Sequence, residues 1–223
     1  MKQTLFITGT DTSVGKTLLT ALLTRFLIGR GISAAALKPV CSGGRGDARA
    51  LHAVMHGALP LDEINPWHFR APIAPLLAAR REKRTVTRSQ VLAHIRALQK
   101  RFDVVLVEGA GGLLSPLGED FDSRDLISVL RATPIIVAPD KLGVVNHLLL
   151  TLEAFPENIR RKTKIVLMSP PKPDAASKTN SDLLAELIDA KKIVSLPWLG
   201  KRFDAHRALR NLRVQKALRG ITE

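Results

Sequence analysis

Short apolar runs without polar alternation recur along this chain, and most of them are followed by a helical pattern. The runs predict strands at 2–8, 33–40, 102–109, 133–140, 164–169 and 192–197. The patterns predict helices at 18–31, 47–57, 87–101, 123–132, 144–155, 182–190 and 205–220. Strands of this kind are buried on both faces, and the intervening helices allow neighbouring strands to run parallel. The sequence therefore predicts an α/β fold, a three-layer α/β/α sandwich with a mostly parallel central sheet.

The length of 223 residues suits one domain, so we expect residues 1–223 to form a single α/β unit. The stretch PPKPDAASKTNS at 170–181 is rich in Pro, Ser and small polar residues, and it is expected to be a mobile surface loop. Ligands of open parallel sheets bind outside the carboxyl ends of the strands. Most of the glycines and reactive side chains follow predicted strands, which places the expected site at that edge.

The chain is strongly basic. Its 34 Lys and Arg residues outnumber its 20 Asp and Glu residues, for a net charge of +14 at pH 7. Such a surface attracts polyanions without any specific site. Aromatic residues make up only 4% of the chain, which gives little material for stacking on bases. Specific nucleic-acid binding is therefore not expected.

Three features indicate a cytoplasmic protein. No apolar run approaches the roughly 18 residues that cross a membrane, and the segment MKQTLFITGTDT lacks the pattern of a signal peptide. The single cysteine, Cys41, excludes an internal disulfide and fits a reducing compartment. No membrane partner is expected.

The segment GTDTSVGKT at 9–17 joins the first predicted strand to the first predicted helix. Phosphate-binding loops end in Gly-Lys-Ser/Thr and usually have four residues before the second Gly, whereas five residues separate Gly9 from Gly15 here. Backbone N–H groups of such a loop and the helix N-terminus bind phosphates, and the Lys reaches their oxygens. The strand–loop–helix context predicts a nucleotide site of the P-loop NTPase type, with Lys16 on the phosphates and Thr17 on Mg²⁺.

Two carboxylates at predicted strand ends are candidates for the same metal ion. Glu108 ends a strongly apolar strand, where a buried acid needs a partner such as a cation. Asp47 follows the second strand in SGGRGD, where it could equally be a helix N-cap. Lys38 also ends the second strand and is placed either to stabilise a transferring phosphoryl group or to lie at the surface as an ordinary lysine.

Four motifs, in this order and all at strand ends, resemble the dethiobiotin synthetase family of biotin biosynthesis: GTDTxVGKT, KPVxSG, VEGAGGLLxPL and KLGxxNHxLLT. The segment NPWHFRAPIAPLLAA at 65–79 and the PWLG segment at 197–200 are similar to that family as well, and the resemblance covers about residues 1 to 200. The family's own phosphate loop has the five-residue spacing. The resemblance implies a Mg²⁺-dependent cyclo-ligase that joins 7,8-diaminopelargonate and CO₂ or bicarbonate, uses ATP, and releases ADP and phosphate through a carbamate and a carbamic–phosphoric anhydride.

The resemblance also implies roles for individual residues. Lys16 and Lys38 are the expected catalytic side chains, and Thr17, Asp47 and Glu108 are the expected metal ligands. The nucleotide contacts are expected from Ser13, Val14, Gly15, Lys16, Thr17, Leu18, Asp47, Glu108, Gly109, Ala110, Gly111, Ser169, Pro197, Trp198 and Leu199. The substrate contacts are expected from Thr12, Lys38, Ser42, Gly143, Val144, Val145 and Asn146. The last four belong to the partner subunit in the family, so a homodimer with a shared substrate site is expected.

One feature departs from the family, and another leaves a different function open. The family reads the base with an Asn after the strand at 164–169, but Ser169-Pro170-Pro171 stands here, so CTP or another triphosphate could replace ATP. The basic charge also fits a P-loop protein of the partition-ATPase or nucleic-acid-associated type. Partition-type ATPases carry KGGxGKT, and Asp11 occupies the position of their first Lys, which argues against that type.

Overall fold

Six parallel strands form the central sheet of the computed structural model, which describes residues 2–222. Every neighbouring pair in the sheet is parallel. In spatial order the strands are β2 (Ala34–Leu37), β5 (Val104–Glu108), β1 (Gln3–Gly9), β6 (Thr133–Pro139), β7 (Lys164–Met168) and β8 (Ile193–Leu196). The chain thus places β1 between β5 and β6, so residues far apart in sequence meet at the carboxyl ends of adjacent strands.

Helices cover both faces of this sheet. On one face α1 contacts β1, β2 and β5, and α11 contacts β8. On the other face α5 contacts β5, α6 contacts β1, and α7 contacts β6. The longer helices are α1 (Lys16–Gly29), α2 (Gly46–Val54), α5 (Arg88–Arg101), α6 (Ser123–Leu130), α7 (Val144–Glu153), α9 (Ala175–Leu187) and α11 (Leu212–Thr222). The predicted three-layer α/β/α sandwich is confirmed.

Several short elements lie outside the predicted pattern. They are β3 (Val40–Ser42), β4 (Trp67–Phe69), α3 (Leu61–Ile64), α4 (Pro75–Arg81), α8 (Glu157–Arg160), α10 (Ala205–Ala208) and a 3₁₀ turn at Ala190–Lys192. The strand predicted at 33–40 ends at Leu37, because the Lys38 N–H donates to the Ile64 carbonyl and Pro39 has no N–H to donate. The chain then forms β3, which pairs in parallel with β4 in a separate two-stranded sheet.

The loop predicted at 170–181 is wrong over most of its length. Helix α9 begins at Ala175, so the helix predicted at 182–190 starts seven residues earlier and ends at Leu187. Asp174 and Ser177 form a reciprocal capping box that satisfies exposed N–H groups of the first turn. Asn180 is buried and donates to Asp140 Oδ1 at 2.8 Å, which ties the helix to the end of β6. The helix predicted at 205–220 is likewise divided into α10 and α11.

The apolar residues of both helical layers and of the sheet form one hydrophobic cluster, in which Phe6, Ile7, Leu22 and Val107 have no exposed surface. Cys41 is buried and not in a disulfide. Among residues 2–222, no helix combines the length and apolar character that a membrane crossing requires.

Candidate active site

The loop at residues 9–17 connects β1 to α1. Gly15 caps the helix with a φ of 103°, and a Cβ built there would lie 3.0 Å from Met168 Cε, so both the backbone conformation and the space favour glycine. Lys16 is the first residue of α1, and its Nζ donates to the Asp11 carbonyl at 2.7 Å. This contact folds the lysine back over the loop, with its ammonium at the mouth of the N–H-rich turn.

Lys16 is 6% exposed. Burial first, and then the positive charge of Lys38, lower the pKa of Lys16 to about 8, although Glu108 and Asp47 act in the opposite direction. A buried ammonium close to a second ammonium is stabilised by any anion that enters between them. The electrostatics of the loop therefore favour a phosphate.

Lys38, Asp47, Glu108 and Thr17 form one cluster beside this loop. Glu108 Oε1 accepts hydrogen bonds from Thr17 Oγ1 and from Lys38 Nζ, both at 2.6 Å. Lys38 also forms an ion pair with Asp47. The second oxygen of Glu108, Oε2, is buried and has no hydrogen-bond partner among the described residues. The ends of β2 and β5 and the starts of α1 and α2 bring these four side chains together.

The charges of the cluster compensate one another. Burial lowers the pKa of Lys38, but the carboxylates of Glu108 and Asp47 outweigh it and the net shift is upward. Burial raises the pKa of Asp47, but Lys38 and the Thr17 hydroxyl outweigh it and the net shift is downward. Lys38 is therefore held as an ammonium and Asp47 as a carboxylate. Within residues 2–222 there is no group of three or more His, Cys, Asp or Glu side chains that could hold a metal.

A cavity of about 680 Å³ opens over the loop and the cluster. Many of the residues predicted for the site line it together: Thr12, Ser13, Gly15, Lys16, Thr17, Leu18, Lys38, Ser42, Asp47, Glu108, Ala110 and Gly111. Its volume is in the range of small-molecule sites, which are clefts of roughly 300–1,000 Å³. The arrangement can bind a polyphosphate next to a second anion, with two ammonium groups between them.

Comparison with known proteins identifies the family. The AAA domain family matches residues 3–202. The ATP-dependent dethiobiotin synthetase BioD of Anaeromyxobacter sp. is 46% identical over 167 residues, which cover 73% of this chain and 75% of that protein. The protein of the same name from Thermodesulfovibrio yellowstonii is 38% identical over 216 residues, or 89% of this chain and 90% of that protein.

The chain belongs to the dethiobiotin synthetase family.

A more distant member of the dethiobiotin synthetase family, the BioD protein of Bacillus subtilis, is 34% identical over 189 residues, with coverage of 82% and 81%. Solved structures of other P-loop proteins share the fold. One is pNOB8 ParA bound to nonspecific DNA, with a TM-score of 0.59, 14% identity, and coverage of 100% of this chain and 98% of that chain. Another is the MinC:MinD complex of Aquifex aeolicus, with a TM-score of 0.57, 14% identity, and coverage of 99% and 94%. At this identity the likeness shows the fold alone. The family relationship decides against a partition-type ATPase.

The other predicted residues lie outside the lining of this cavity. Val14 is buried, with its Cγ2 against Gly9, and Gly109 packs on Ser123 and Phe6. The remaining ones follow strands at the same edge of the sheet. Gly143, Val144, Val145 and Asn146 begin α7 after β6, Ser169 follows β7, and Pro197, Trp198 and Leu199 follow β8.

The two predicted nucleotide segments after β7 and β8 are in contact with each other. The Ser169 N–H donates to the Leu196 carbonyl at 3.0 Å, which joins the segments at residues 169 and 197–199. Met168, which precedes Ser169, lies against Gly15 of the phosphate loop. These segments therefore lie next to the loop, on the side away from β2.

The structure adds a wall that sequence reasoning did not assign. Cys41, Pro72, Ile73, Ala74, Pro75, Ser115 and Pro116 also line the cavity. Ser42 Oγ donates to the Ile73 carbonyl at 2.5 Å and joins the wall to the end of β3. The segment at 65–79 is similar to the family in sequence, but its position depends on the β3–β4 pairing, which has no local sequence signal.

Proposed function

We propose that this chain closes the ureido ring of dethiobiotin from 7,8-diaminopelargonate, CO₂ and ATP, with release of ADP and phosphate. Membership of the dethiobiotin synthetase family supports this reaction. The observation that carries it is the convergence of Lys16, Lys38, Asp47, Glu108 and Thr17 on a single cavity. That cavity suits two anions that must meet, a triphosphate and a carbamate.

The chemistry needs three bond-forming steps. One amine of the substrate adds to CO₂ and loses a proton, which gives a carbamate. A carbamate oxygen then attacks the γ-phosphorus, and the bond to ADP breaks. The second amine attacks the carbamoyl carbon, loses a proton and expels phosphate. No step requires a covalent bond to the protein, so catalysis depends on positioning and on charge neutralisation.

The two lysines act on the transferring group. Lys16 leaves the Asp11 carbonyl and donates to the β- and γ-phosphate oxygens, as the lysine of a phosphate loop does. Lys38 lies at the boundary between the phosphate loop and the Ser42 side of the cavity, where it neutralises both the carbamate and the γ-phosphate. Thr12 and Ser42 orient the amine and carbamate ends of the substrate.

The donor set fits a magnesium ion. Mg²⁺ binds through one or two carboxylates together with water and substrate phosphates, and Glu108 Oε2 is a buried carboxylate oxygen without a partner. Thr17, Asp47 and Glu108 would hold the ion. The ion would supply positive charge that offsets the negative charge of the transferring phosphoryl group. In this structure Lys38 forms ion pairs with both carboxylates. With the ion bound to those carboxylates, Lys38 would be free to turn toward the carbamate.

The wall of the cavity accounts for the aliphatic part of the substrate. Pro72, Ile73, Ala74 and Pro116 present apolar surface beside the Ser42 hydroxyl, which suits a methylene chain next to a polar reacting end. The carboxylate at the far end of that chain is bound by the start of α7 in a second copy of the protein, at the segment 143–146. A helix N-terminus favours anions. Leu142 directly precedes this segment and Leu150 lies further along α7; they are 83% and 63% exposed, which supports a homodimer interface at this helix.

The base of the nucleotide lies between Ser169 and the segment 197–199, where Trp198 is 49% exposed and available to cover it. A serine hydroxyl offers one hydrogen bond, so discrimination between triphosphates is weaker than an amide would provide. We further propose that residues 1–223 act as one cytoplasmic domain.

The decisive experiment measures phosphate release with ATP, CTP and GTP, each with and without 7,8-diaminopelargonate and bicarbonate. We expect release to require both the diamine and bicarbonate, and to give a product whose mass includes the ureido carbonyl. The Lys16→Ala variant is the matched control for background hydrolysis. Release that proceeds equally without the diamine, or a product without the added carbonyl, would contradict the proposal.

A further inference from the structure

The amino edge of the central sheet lies opposite the candidate site and carries cations along five adjacent strands. For each of these strands, at least one Lys or Arg lies within about four residues of the strand's first residue in the sequence. In spatial order across the sheet these side chains are Lys100 before β5, Lys2 before β1, Arg131 before β6, Lys162 and Lys164 at β7, and Lys191 before β8. We call these six side chains the basic edge.

Backbone contacts hold the members of the basic edge next to one another. Lys2 Nζ donates to the Lys100 carbonyl at 2.6 Å. Lys162 Nζ donates to the Arg131 carbonyl at 3.1 Å, and Lys164 Nζ donates to the Lys191 carbonyl at 3.4 Å. Each contact places an ammonium beside a residue that is itself cationic. Burial and the charge of Arg131 lower the pKa of Lys162, which is the direction that like-charge crowding produces.

Carboxylates do not compensate these charges. In the part of the chain that the structure describes, none of the six side chains forms an ion pair, whereas exposed arginines elsewhere do, as in Arg80–Glu119 and Arg160–Glu153. Four acids lie near the edge. Glu153 and Glu157 line a cavity with Thr163 and Lys192 beside β7 and β8, and both pair with Arg160. Asp103 precedes β5, and Asp189 uses Oδ1 to accept the Lys191 N–H. The edge therefore keeps a net positive charge of several units.

A groove opens between the starts of β5, β1 and β6. It has a volume of about 660 Å³, and its charged lining consists of Lys2, Arg96, Lys100 and Arg131, with no carboxylate. Phe102, Val105 and Leu130 supply its apolar surface. A concave surface with only positive charges concentrates anions, because a low-dielectric wall focuses the field.

We propose that the basic edge binds the phosphate backbone of duplex nucleic acid without sequence specificity. Adjacent strands are about 4.8 Å apart, so five strands form a row of cations roughly 20 Å long. Duplex DNA carries one negative charge about every 1.7 Å of its axis, which supplies a phosphate to each cation in any register. Such contacts position a protein on the duplex and carry no sequence information.

The aromatic residues favour a duplex over the other polyanions. The chain has no Tyr, and its two Trp residues lie in β4 and after β8, away from the basic edge. Among the residues that the structure describes, Phe102 is the one aromatic residue that lines the groove, and it is half-buried. Membrane-surface proteins and single-strand binders commonly use exposed aromatic rings, either at the lipid interface or for stacking on bases. Because the edge lies opposite the cavity, a bound duplex leaves the nucleotide site open.

The test is a pair of charge-matched variants. Lys100→Glu, Arg131→Glu and Lys191→Glu are combined, since no hydrogen bond or ion pair from these three side chains is present in the described residues and only their carbonyls accept bonds. The control combines Arg70→Glu, Lys83→Glu and Lys178→Glu, which are exposed cations outside the edge and change the net charge equally. Binding of a labelled duplex of about 20 base pairs is followed by fluorescence anisotropy between about 50 and 200 mM salt.

We expect the unmodified protein to bind duplexes of unrelated sequence equally, with an affinity that falls about 1,000-fold over this salt range. The edge variant should lose about tenfold or more in affinity at the lowest salt, and the control less than about threefold. Diamine-dependent phosphate release should be unchanged in the edge variant. Equal losses in both variants, no duplex binding by the unmodified protein, or tighter binding to vesicles of anionic lipid would each overturn the proposal. Circular dichroism checks the fold, and a milder variant with Gln at the same three positions should show an intermediate loss.

Discussion

The carboxyl edge and the amino edge of the central sheet differ in how their charges are compensated. At the carboxyl edge Lys38 and Glu108 are almost fully buried, and every charge of the cluster faces a countercharge. At the amino edge the cations of the basic edge are more exposed and have carbonyls, not carboxylates, as their neighbours. Burial makes an unpaired charge too unfavourable to keep, whereas water screens a row of like charges. A charge at the first edge therefore matters to the fold and to chemistry, and a charge at the second only to what binds there.

Loss of either lysine at the carboxyl edge is expected to have the largest effect. Lys16→Ala and Lys38→Ala should each reduce turnover by about a thousandfold, because each removes a positive charge from the transferring phosphoryl group. Steady-state phosphate release measures this, and thermal unfolding checks that the fold is retained. Lys178→Ala is the control, since Lys178 is exposed on α9. Turnover near that of the unmodified protein in either variant would remove that lysine from the mechanism.

The second effect concerns the stability of the cluster itself. Lys38→Met leaves Glu108 buried without its countercharge, and it should lower the free energy of unfolding by about 3 kcal/mol. Urea denaturation gives this value. Addition of Mg²⁺ should recover part of the loss, because a cation can replace the ammonium between the two carboxylates. Lys38→Arg keeps the charge and serves as the control. If Lys38→Met were as stable as Lys38→Arg, the idea that buried charges here depend on compensation would be wrong.

A smaller effect is expected from a neutral replacement at the end of β5. Glu108→Gln keeps the shape of the side chain but removes one negative charge from the proposed ion site. The Mg²⁺ concentration for half-maximal activity should rise about tenfold. Glu119→Gln, in a surface pair with Arg80, is the matched control and should leave the requirement unchanged. An unaltered Mg²⁺ dependence in Glu108→Gln would remove Glu108 from the metal site.

The smallest effect belongs to the amino edge. Arg131→Gln relieves the repulsion with Lys162 and should leave stability the same or raise it by a few tenths of a kcal/mol at low salt. The difference should vanish in high salt, because screening removes the repulsion in the unmodified protein too. Urea midpoints at two salt concentrations test this. A clear destabilisation would show that Arg131 has a structural role. It would contradict the idea that a charge at the amino edge matters only to what binds there.

Much of the fold followed from local patterns. The six apolar runs correspond to the six strands of the main sheet, and the strand–loop–helix context of GTDTSVGKT was correct. The Pro and small polar residues at 170–181 predict a loop, but the capping box of Asp174 and Ser177 starts α9 within that stretch, so only the part of the helix from residue 182 onward matches the prediction. Divisions within a predicted element, such as the end of β2 at Leu37, depended on contacts with distant residues.

The candidate site was also predictable only in part, since its residues could be named from the sequence but their contacts could not. Lys16, Thr17, Lys38, Asp47 and Glu108 could be named because each lies at the carboxyl end of a predicted strand or in the segment that follows it, where parallel sheets bind ligands. Their pairing could not, since Lys38 and Glu108 are 70 residues apart in the chain and meet only because β5 lies between β2 and β1. The apolar wall at residues 72–75 was missed for the same reason.

By itself the sequence determined the class of fold, the phosphate loop and the family, because these depend on short-range periodicity and on motifs of adjacent residues. Only the tertiary structure decided the order of the strands, the compensation of Lys38 by two carboxylates, and the alignment of lysines and arginines along the opposite edge. The physical reason is that charge acts through space. Cations scattered over most of the chain become one surface only when the sheet brings the starts of its strands into a row.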